Sequence, residues 1–399
     1  MCNSVLSVHA QVYDMVVAKD GSGEFTTIQA ALEKLPCNNE GRSLIFIKDG
    51  LYKEKIWLSP DMKNVSLIGE SPDGVIISWN DYSGKTAAMS TADSYTFLAE
   101  GDGFYAENLT IENTAGEIAQ AVAIRTTGDR QIFKNCKFLG FQDTYYAHKK
   151  RQYNFQCYIE GATDFIFGDA TAVFENCEIH ALEGGQYITA PNDTKLISTT
   201  PSGKNFYHGL LFLDCLLAAD AKVAKNSYYL MRPWGAPASA VFVNSRMGDH
   251  INDKGWSAWD GNKNHLSGTF AEYKSKDLSG ALLDVSRRAD WSRQLTREEM
   301  EHLYNLDYFL RKDGEAWNPE VLTISLPAPV NLKKSSFPNT LEWKAVPKAR
   351  GYVILRDNKV VGFSATNIYQ EKTIDVTKID QYSIKTVSEN GNISTSSKR

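Results

Sequence analysis

The chain has 399 residues, more than one ordinary domain needs, so a large domain with a smaller companion is the first expectation. Apolar residues make up 42% and charged residues 23%, the balance of a soluble globular protein, and no apolar run approaches the roughly 20 residues of a membrane-spanning helix. Forty-three Lys and Arg against 48 Asp and Glu leave a formal charge of −5, which argues against a nucleic-acid partner.

The start, MCNSVLSVHAQVYD, carries small residues at Val8 and Ala10, the −3 and −1 positions of a signal-peptidase site. Residues 1–13 therefore read as the tail of an export signal or as a disordered leader; the first option makes the protein secreted or periplasmic. Gly21-Ser22-Gly23 lacks the frame of a phosphate loop and reads as a turn. After it, Thr26 to Leu32 is expected to form a short helix that closes the first coil.

Between about residues 40 and 270 helical periodicity is nearly absent. Short β-rich strings recur instead, each with a polar residue ahead of an inward pair: NVSLIG (64–69), AENLTIEN (106–113), IFKNCKFLG (132–140), VFENCEIH (173–180), FLDCLL (212–217) and VFVNSRMG (241–248). Six Cys are too few for a disulfide scaffold in a chain this long, but Cys136, Cys157 and Cys177 are spaced 21 and 20 residues apart, with Cys215 in a similar string. One strand set per 20 to 30 residues reads as an all-β solenoid, a right-handed parallel β-helix whose coils stack about 4.8 Å apart. The Cys column is then a buried ladder of packed thiols.

Thr296 and Glu299 match a capping box ahead of Met300, Leu303, Tyr304 and Leu306, so a second short helix is expected to cover the far end. Composition shifts at Asn318-Pro319 and at Pro327-Ala328-Pro329. The alternating strands that follow, with Asn-Lys and Asn-Gly turns, predict a small β-sandwich that resembles a fibronectin type III module through its Trp343 and Tyr352-Val353-Ile354 strands. The division is thus leader 1–13, solenoid 14–318, linker 319–329 and sandwich 330–399.

Coil length brings the polar residues together. Asp143 lies seven residues after Cys136 and Asp164 seven after Cys157, so the two occupy equivalent places on consecutive coils. Gln120 precedes Gln142 by 22 residues, about one coil, and Arg232 follows Asp164 by 68, close to three. Stacked carboxylates repel, so one tends to keep its proton. That asymmetry suits ester hydrolysis: an ionised carboxylate attacks, and a neutral one protonates the leaving alcohol and then activates water. An amide donor from Gln would stabilise the oxyanion, and an Arg would hold the nucleophile charged.

Seven strings, in this order, carry a resemblance to the pectin methylesterase family over roughly residues 14–315: VAKDGSGEFTTIQAAL, GLYKE (50–54), QAVAI (120–124), GFQDTY (140–145), DFIFG (164–168), YITAP (187–191) and LMRPWG (230–235). The resemblance implies Asp164 as nucleophile, Asp143 as general acid and base, Gln142 as oxyanion donor and Gln120 as a second amide. It implies that Arg232 holds the nucleophile and that Trp234 stacks on a sugar ring. Thr91 resembles a substrate-contacting threonine; Phe165 and Phe167 flank the nucleophile as an apolar wall, with Phe167 and Tyr145 expected to contact substrate. The activity implied is removal of methyl groups from homogalacturonan, by a monomer needing no metal or organic cofactor.

Some positions depart from the family pattern: Tyr145-Tyr146 after Asp-Thr, Met231 before Arg232, and Pro191 closing YITA. These touch subsite preference rather than the reaction. Tyr145, Tyr146 and Tyr153 read equally well as cleft lining or as outward-facing side chains. His148, His180 and His208 share no metal-ligand spacing, and the Asn108-Leu109-Thr110 sequon falls in an inner strand. Two other chemistries stay open: hydrolysis of another acyl ester such as a thioester, and a calcium-dependent polysaccharide lyase, which the Gln column opposes.

Overall fold

The computed structural model describes residues 12–199, 203–370, 374 and 376–397. Val8-His9-Ala10 lies outside the described residues. Through the middle of the main body every third strand joins the same sheet, giving three parallel sheets of eleven, nine and seven strands wound as a right-handed β-helix. In-register stacking aligns like side chains inside, so Phe174, Phe212 and Phe242 stack with centroids 4.8 and 4.5 Å apart.

The recurring polar residue has a backbone cause. Asn108, Asn135, Gln156, Asn176, Asp214, Asn244 and Lys274 all turn the corner between the eleven- and nine-stranded sheets with φ between 49° and 59°, while Asn64, with φ 54°, turns the corner into the eleven-stranded sheet. Asn and Asp tolerate this left-handed conformation better than other side chains. It turns the next residue inward, so Cys136, Cys157, Cys177 and Cys215 are buried free thiols. Each donates to the carbonyl two residues back, from Cys136 Sγ to Lys134 O at 3.4 Å through Cys215 Sγ to Leu213 O at 3.5 Å. Ser245 Oγ makes the same bond to Val243 O, extending the column. Asn108 of the sequon belongs to this ladder: it accepts from Asn135 and donates to Gly69 O.

The helix Ile28–Leu32 packs into the first coil, and its free N–H groups at Ile28 and Gln29 are taken by the Glu54 carboxylate at 3.1 and 3.0 Å. The helix Arg297–Leu303 starts on the expected capping box, with Glu299 N donating to Thr296 Oγ1 and Thr296 N to Glu299 Oε2. Its position differs from expectation. Met300 and Leu303, followed by Tyr304 and Phe309, pack on the outer face of the eleven-stranded sheet. The far end of the interior is closed by Leu283, Ala289 and Trp291 instead, with Trp291 edge-on to Phe270. A capping box specifies where a helix starts and carries no information on which face receives it.

After residue 330, two three-stranded antiparallel sheets face each other around Leu341, Trp343, Tyr352, Ile354 and Ile384. The strand Gly351–Arg356 returns through Asp357 and Asn358, both at positive φ, the geometry of a tight two-residue hairpin. Its other face is also buried. Val353, Leu355, Val387 and Ile393 pack against Leu44, Phe46, Ile68 and Tyr105 of the solenoid. Val12 and Tyr13, assigned to the leader, are 3% exposed in this seam, Tyr13 lying between Phe46 and Phe363. Among the described residues no helix is long and apolar enough to cross a membrane.

Candidate active site

The seven-stranded sheet carries the polar residues on its outer side. Gln120 precedes the strand Ile124–Thr126, Gln142 and Asp143 precede Tyr145–Ala147, Asp164 sits in Thr163–Gly168, and Arg232 follows Tyr229–Met231. Gln142 bridges Thr163 in parallel register and Asp143 N donates to Thr163 O at 3.1 Å, so Asp143 and Asp164 are neighbours on adjoining coils. Ala121 N donates to Gln142 O at 3.0 Å, which aligns Gln120 one coil earlier.

Both aspartates take left-handed backbone, with φ 66° at Asp143 and 52° at Asp164. The strand holding Asp164 is bulged: Thr163 pairs Tyr187 while Ile166 pairs Thr189, one residue more on the Asp164 side. A bulge re-aims a side chain, and here it sends Asp164 out to the cleft while Phe165 turns into the core. Arg232 lies two coils beyond Asp164, not three. The strands run from Thr163–Gly168 to Tyr187–Pro191 to Tyr229–Met231, and the antiparallel hairpin of Leu196–Thr199 with Asn205–Tyr207 accounts for the extra chain.

A cleft of about 400 Å³ is lined by Thr91, Gln120, Gln142, Asp143, Asp164, Phe167, Arg232 and Trp234. Arg232 grips Asp164 with two parallel hydrogen bonds, Nε to Oδ1 at 2.8 Å and Nη2 to Oδ2 at 2.5 Å. The carboxylates are 9% and 5% exposed at Asp143 and Asp164. Burial raises both above the ordinary carboxylate range. At Asp164 the guanidinium opposes that rise. At Asp143 the negative charge of Asp164 adds to burial, Arg232 offsets it only in part, and the group is driven well above its usual value. The pair is therefore unequal: Asp143 holds its proton at pH values where Asp164 has lost its own.

Thr91 stands on the short 3-10 helix Thr91–Asp93, fixed by Ser90 N and Oγ on Asp93 Oδ2 and by Arg125 Nη1 on Ala92 O at 2.9 Å. Trp234 is 42% exposed at the rim, its ring edge-on to Phe167. Tyr145 requires correction. Its ring is fully buried inside the coil against Phe133, Phe138 and Phe174, because strand alternation turns it opposite to its neighbour. Tyr146 is the tyrosine that faces the cleft, stacked at 4.2 Å on Phe167. Phe165 likewise lies in the core rather than in the cleft wall, and Tyr153 packs in the seam outside the eleven-stranded sheet.

Trp259 and Tyr187 were not singled out. Trp259 lies on a loop outside every motif, yet it lines the cleft and stacks over Arg232. Period-two alternation says that Tyr145 and Tyr146 point to opposite sides without saying which reaches the cleft, and nothing local marks Trp259. A larger cavity, about 560 Å³ at the far end of the solenoid, gathers Asp249, Asp253, Asp277 and Asp284. Among the described residues no group of three or more His, Cys, Asp or Glu side chains is arranged to hold a metal ion.

A sequence model of the Pectinesterase family matches residues 14–313. Pectinesterase 31 of Arabidopsis thaliana is 35% identical over 311 residues, which cover 75% of this chain and 93% of that protein. Other curated relatives are longer, and the chain spans 47% and 48% of two of them. Among solved structures, a pectin methylesterase from carrot superposes with a TM-score of 0.67 at 31% identity, covering 75% of this chain and 93% of that one. A pectin methylesterase in complex with a hexasaccharide superposes with a TM-score of 0.62 at 28% identity, covering 77% and 98%. The matched span contains the whole cleft, and by both sequence and fold the chain belongs to the pectinesterase family.

Proposed function

We propose that this cleft hydrolyses the methyl esters of pectin, releasing methanol and leaving free galacturonate, with Asp164 as nucleophile. The observation that carries the reading is the unequal pair, Asp164 bridged by Arg232 and Asp143 buried beside it without a cation of its own. Asp164 attacks the ester carbonyl carbon, and the negative charge on that oxygen is met by side-chain N–H donors of Gln142 and Gln120. Neutral Asp143 gives its proton to the departing methoxy oxygen, so methanol leaves and an acyl-enzyme remains on Asp164. Water then attacks the acyl carbon while Asp143, now ionised, takes one of its protons. The bond to Asp164 breaks, returning its carboxylate, and the product acid loses its proton to solvent.

Arg232 keeps Asp164 ionised in the resting state, and Trp234, exposed at the rim, offers an apolar face to a sugar ring, backed by Phe167, which is itself only 4% exposed. No step needs a metal or an organic cofactor. Each chain contains all of these side chains, so a monomer suffices. A polymeric cell-wall substrate is consistent with an exported enzyme. The hexasaccharide complex of the related pectin methylesterase supports an oligosaccharide-binding cleft.

Methanol release from highly esterified pectin, compared with turnover of an acyl thioester and repeated with excess chelator, tests the reading. Methanol in equal amount to new carboxylates, unaffected by chelator, is expected. Preference for the thioester would move the chemistry to another acyl ester. Loss of activity on chelation, with unsaturated products, would favour a lyase.

A further inference from the structure

The Arg232 guanidinium packs against two aromatic rings. Its carbon lies 4.1 Å from the centroid of the Tyr187 ring and 4.2 Å from that of Trp259, while its Nε and Nη2 donate to Asp164. Trp259 lines the cleft; Tyr187 does not, and sits on the sheet behind the guanidinium. Tyr187 is itself held. It pairs with Tyr229 across the sheet, the rings stacked 5.8 Å apart and 21° from parallel, and with Thr163, the residue before Asp164, on its other side. The strand that carries the nucleophile thus also seats the ring that fixes the plane of its counter-ion.

We propose that Tyr187 is a positioning residue for the ester hydrolysis, clamping Arg232 in the plane where both of its hydrogen bonds to Asp164 form. This rests on the esterase reading above. A guanidinium free to rotate about its terminal bonds satisfies a carboxylate in several ways, of which the paired arrangement is one; two aromatic rings packed against it restrict that rotation. A clamp of this kind acts on chemistry rather than on substrate binding, because Tyr187 has no place in the cleft lining. It also acts on the charge of Asp164. Burial raises that carboxyl and Arg232 opposes the rise, so loosening Arg232 moves its ionisation to higher pH.

The test is methanol release from pectin by the full chain, measured across pH for wild type, Tyr187→Phe and Tyr187→Leu. Tyr187→Leu is expected to lower kcat roughly tenfold or more, as misplaced catalytic groups do, with KM within about twofold because no substrate contact is lost. The acidic limb of its kcat profile is expected to rise by about half a pH unit or more. Tyr187→Phe keeps the ring face and is expected to stay near wild type in both respects. A Tyr187→Leu enzyme whose acidic limb stays at the wild-type pH, whatever its kcat, would overturn the proposal and leave Tyr187 a packing residue. If Tyr187→Leu does not fold, Trp259→Leu, which removes the second ring packed on Arg232, carries the same reading of the acidic limb. A wild-type chain that releases no methanol would strike at the esterase reading rather than at the clamp.

Discussion

Asp143 and Asp164 share a nearly equal burial and differ in their partners. Asp164 spends its two oxygens on Arg232, while Asp143 faces a neighbouring negative charge, and that contrast supports the proposed roles of Asp143 as acid and Asp164 as nucleophile. The pH profile of turnover is therefore expected to fall on the acidic side as Asp164 gains a proton and on the alkaline side as Asp143 loses its own. A profile with no alkaline loss would remove Asp143 from the acid role. Stability follows the same titration with a determined sign. A carboxyl whose folded pKa is raised contributes fully below the unfolded value of about 3.9, and that contribution is lost as pH rises through the folded value. Asp143→Asn keeps the group neutral. It is expected to abolish turnover while raising Tm relative to wild type, by an amount that grows as pH rises above about 4 and that thermal unfolding at several pH values would record. That Asp143 and Asp164 are neighbours was legible from residue spacing because each repeats at one coil length. The tyrosine beside it was not: Tyr145 and Tyr146 are equally aromatic, and only the direction of alternation, set by whether Tyr145 or Thr144 begins the inward series, decides which reaches the cleft.

At the scale of the element, the bulge in Thr163–Gly168 is what aims Asp164, the proposed nucleophile, and Gly161 ahead of it has no room for a side chain. A Cβ there would stand 2.2 Å from Phe165 Cβ and 2.9 Å from Phe141 O. Gly161→Ala is expected to cost about 1–3 kcal/mol of stability, the range for overpacking. Because Phe165 would have to move, turnover should fall by more than the folded fraction does, a comparison that activity per folded molecule would make. The coils themselves were readable in advance because the left-handed Asn corner and the inward Cys after it leave a fixed signature in each turn. The placement of the Arg297–Leu303 helix was not, since its apolar side would suit the open end of the solenoid as well as its flank. The hairpin after Tyr187–Pro191 also escaped the spacing arithmetic: an insertion leaves coil register intact while lengthening the chain between Asp164 and Arg232.

In the whole molecule, the eleven-stranded sheet is buried on both faces, inside by the coil interior and outside by the helices and the C-terminal sandwich. Polar groups join the seam: Asn392 donates to Tyr105 Oη at 2.6 Å, Tyr105 to Glu107 at 2.9 Å, and Lys134 pairs with Glu107 at 3.2 Å. The sandwich strand GYVILR hints at this in its unbroken apolar run, which fits a strand covered on two sides, but which surface covers it is a long-range matter that no local pattern encodes. Removing residues 330–399 is expected to bare the apolar seam, lowering Tm by several degrees or more and promoting aggregation, well before any question of substrate affinity arises. A truncated chain that melts and turns over like the full one would show the sandwich to be a detachable appendage.

The proposed ester hydrolysis turns on one side chain, Asp164. The direct measurement is methanol released from highly esterified pectin by wild type and by Asp164→Ala, with pectin binding followed in parallel. The expected result is steady release by wild type and none above background by Asp164→Ala, which still binds the polymer. Substantial turnover by Asp164→Ala would contradict the assignment of Asp164 as the attacking group.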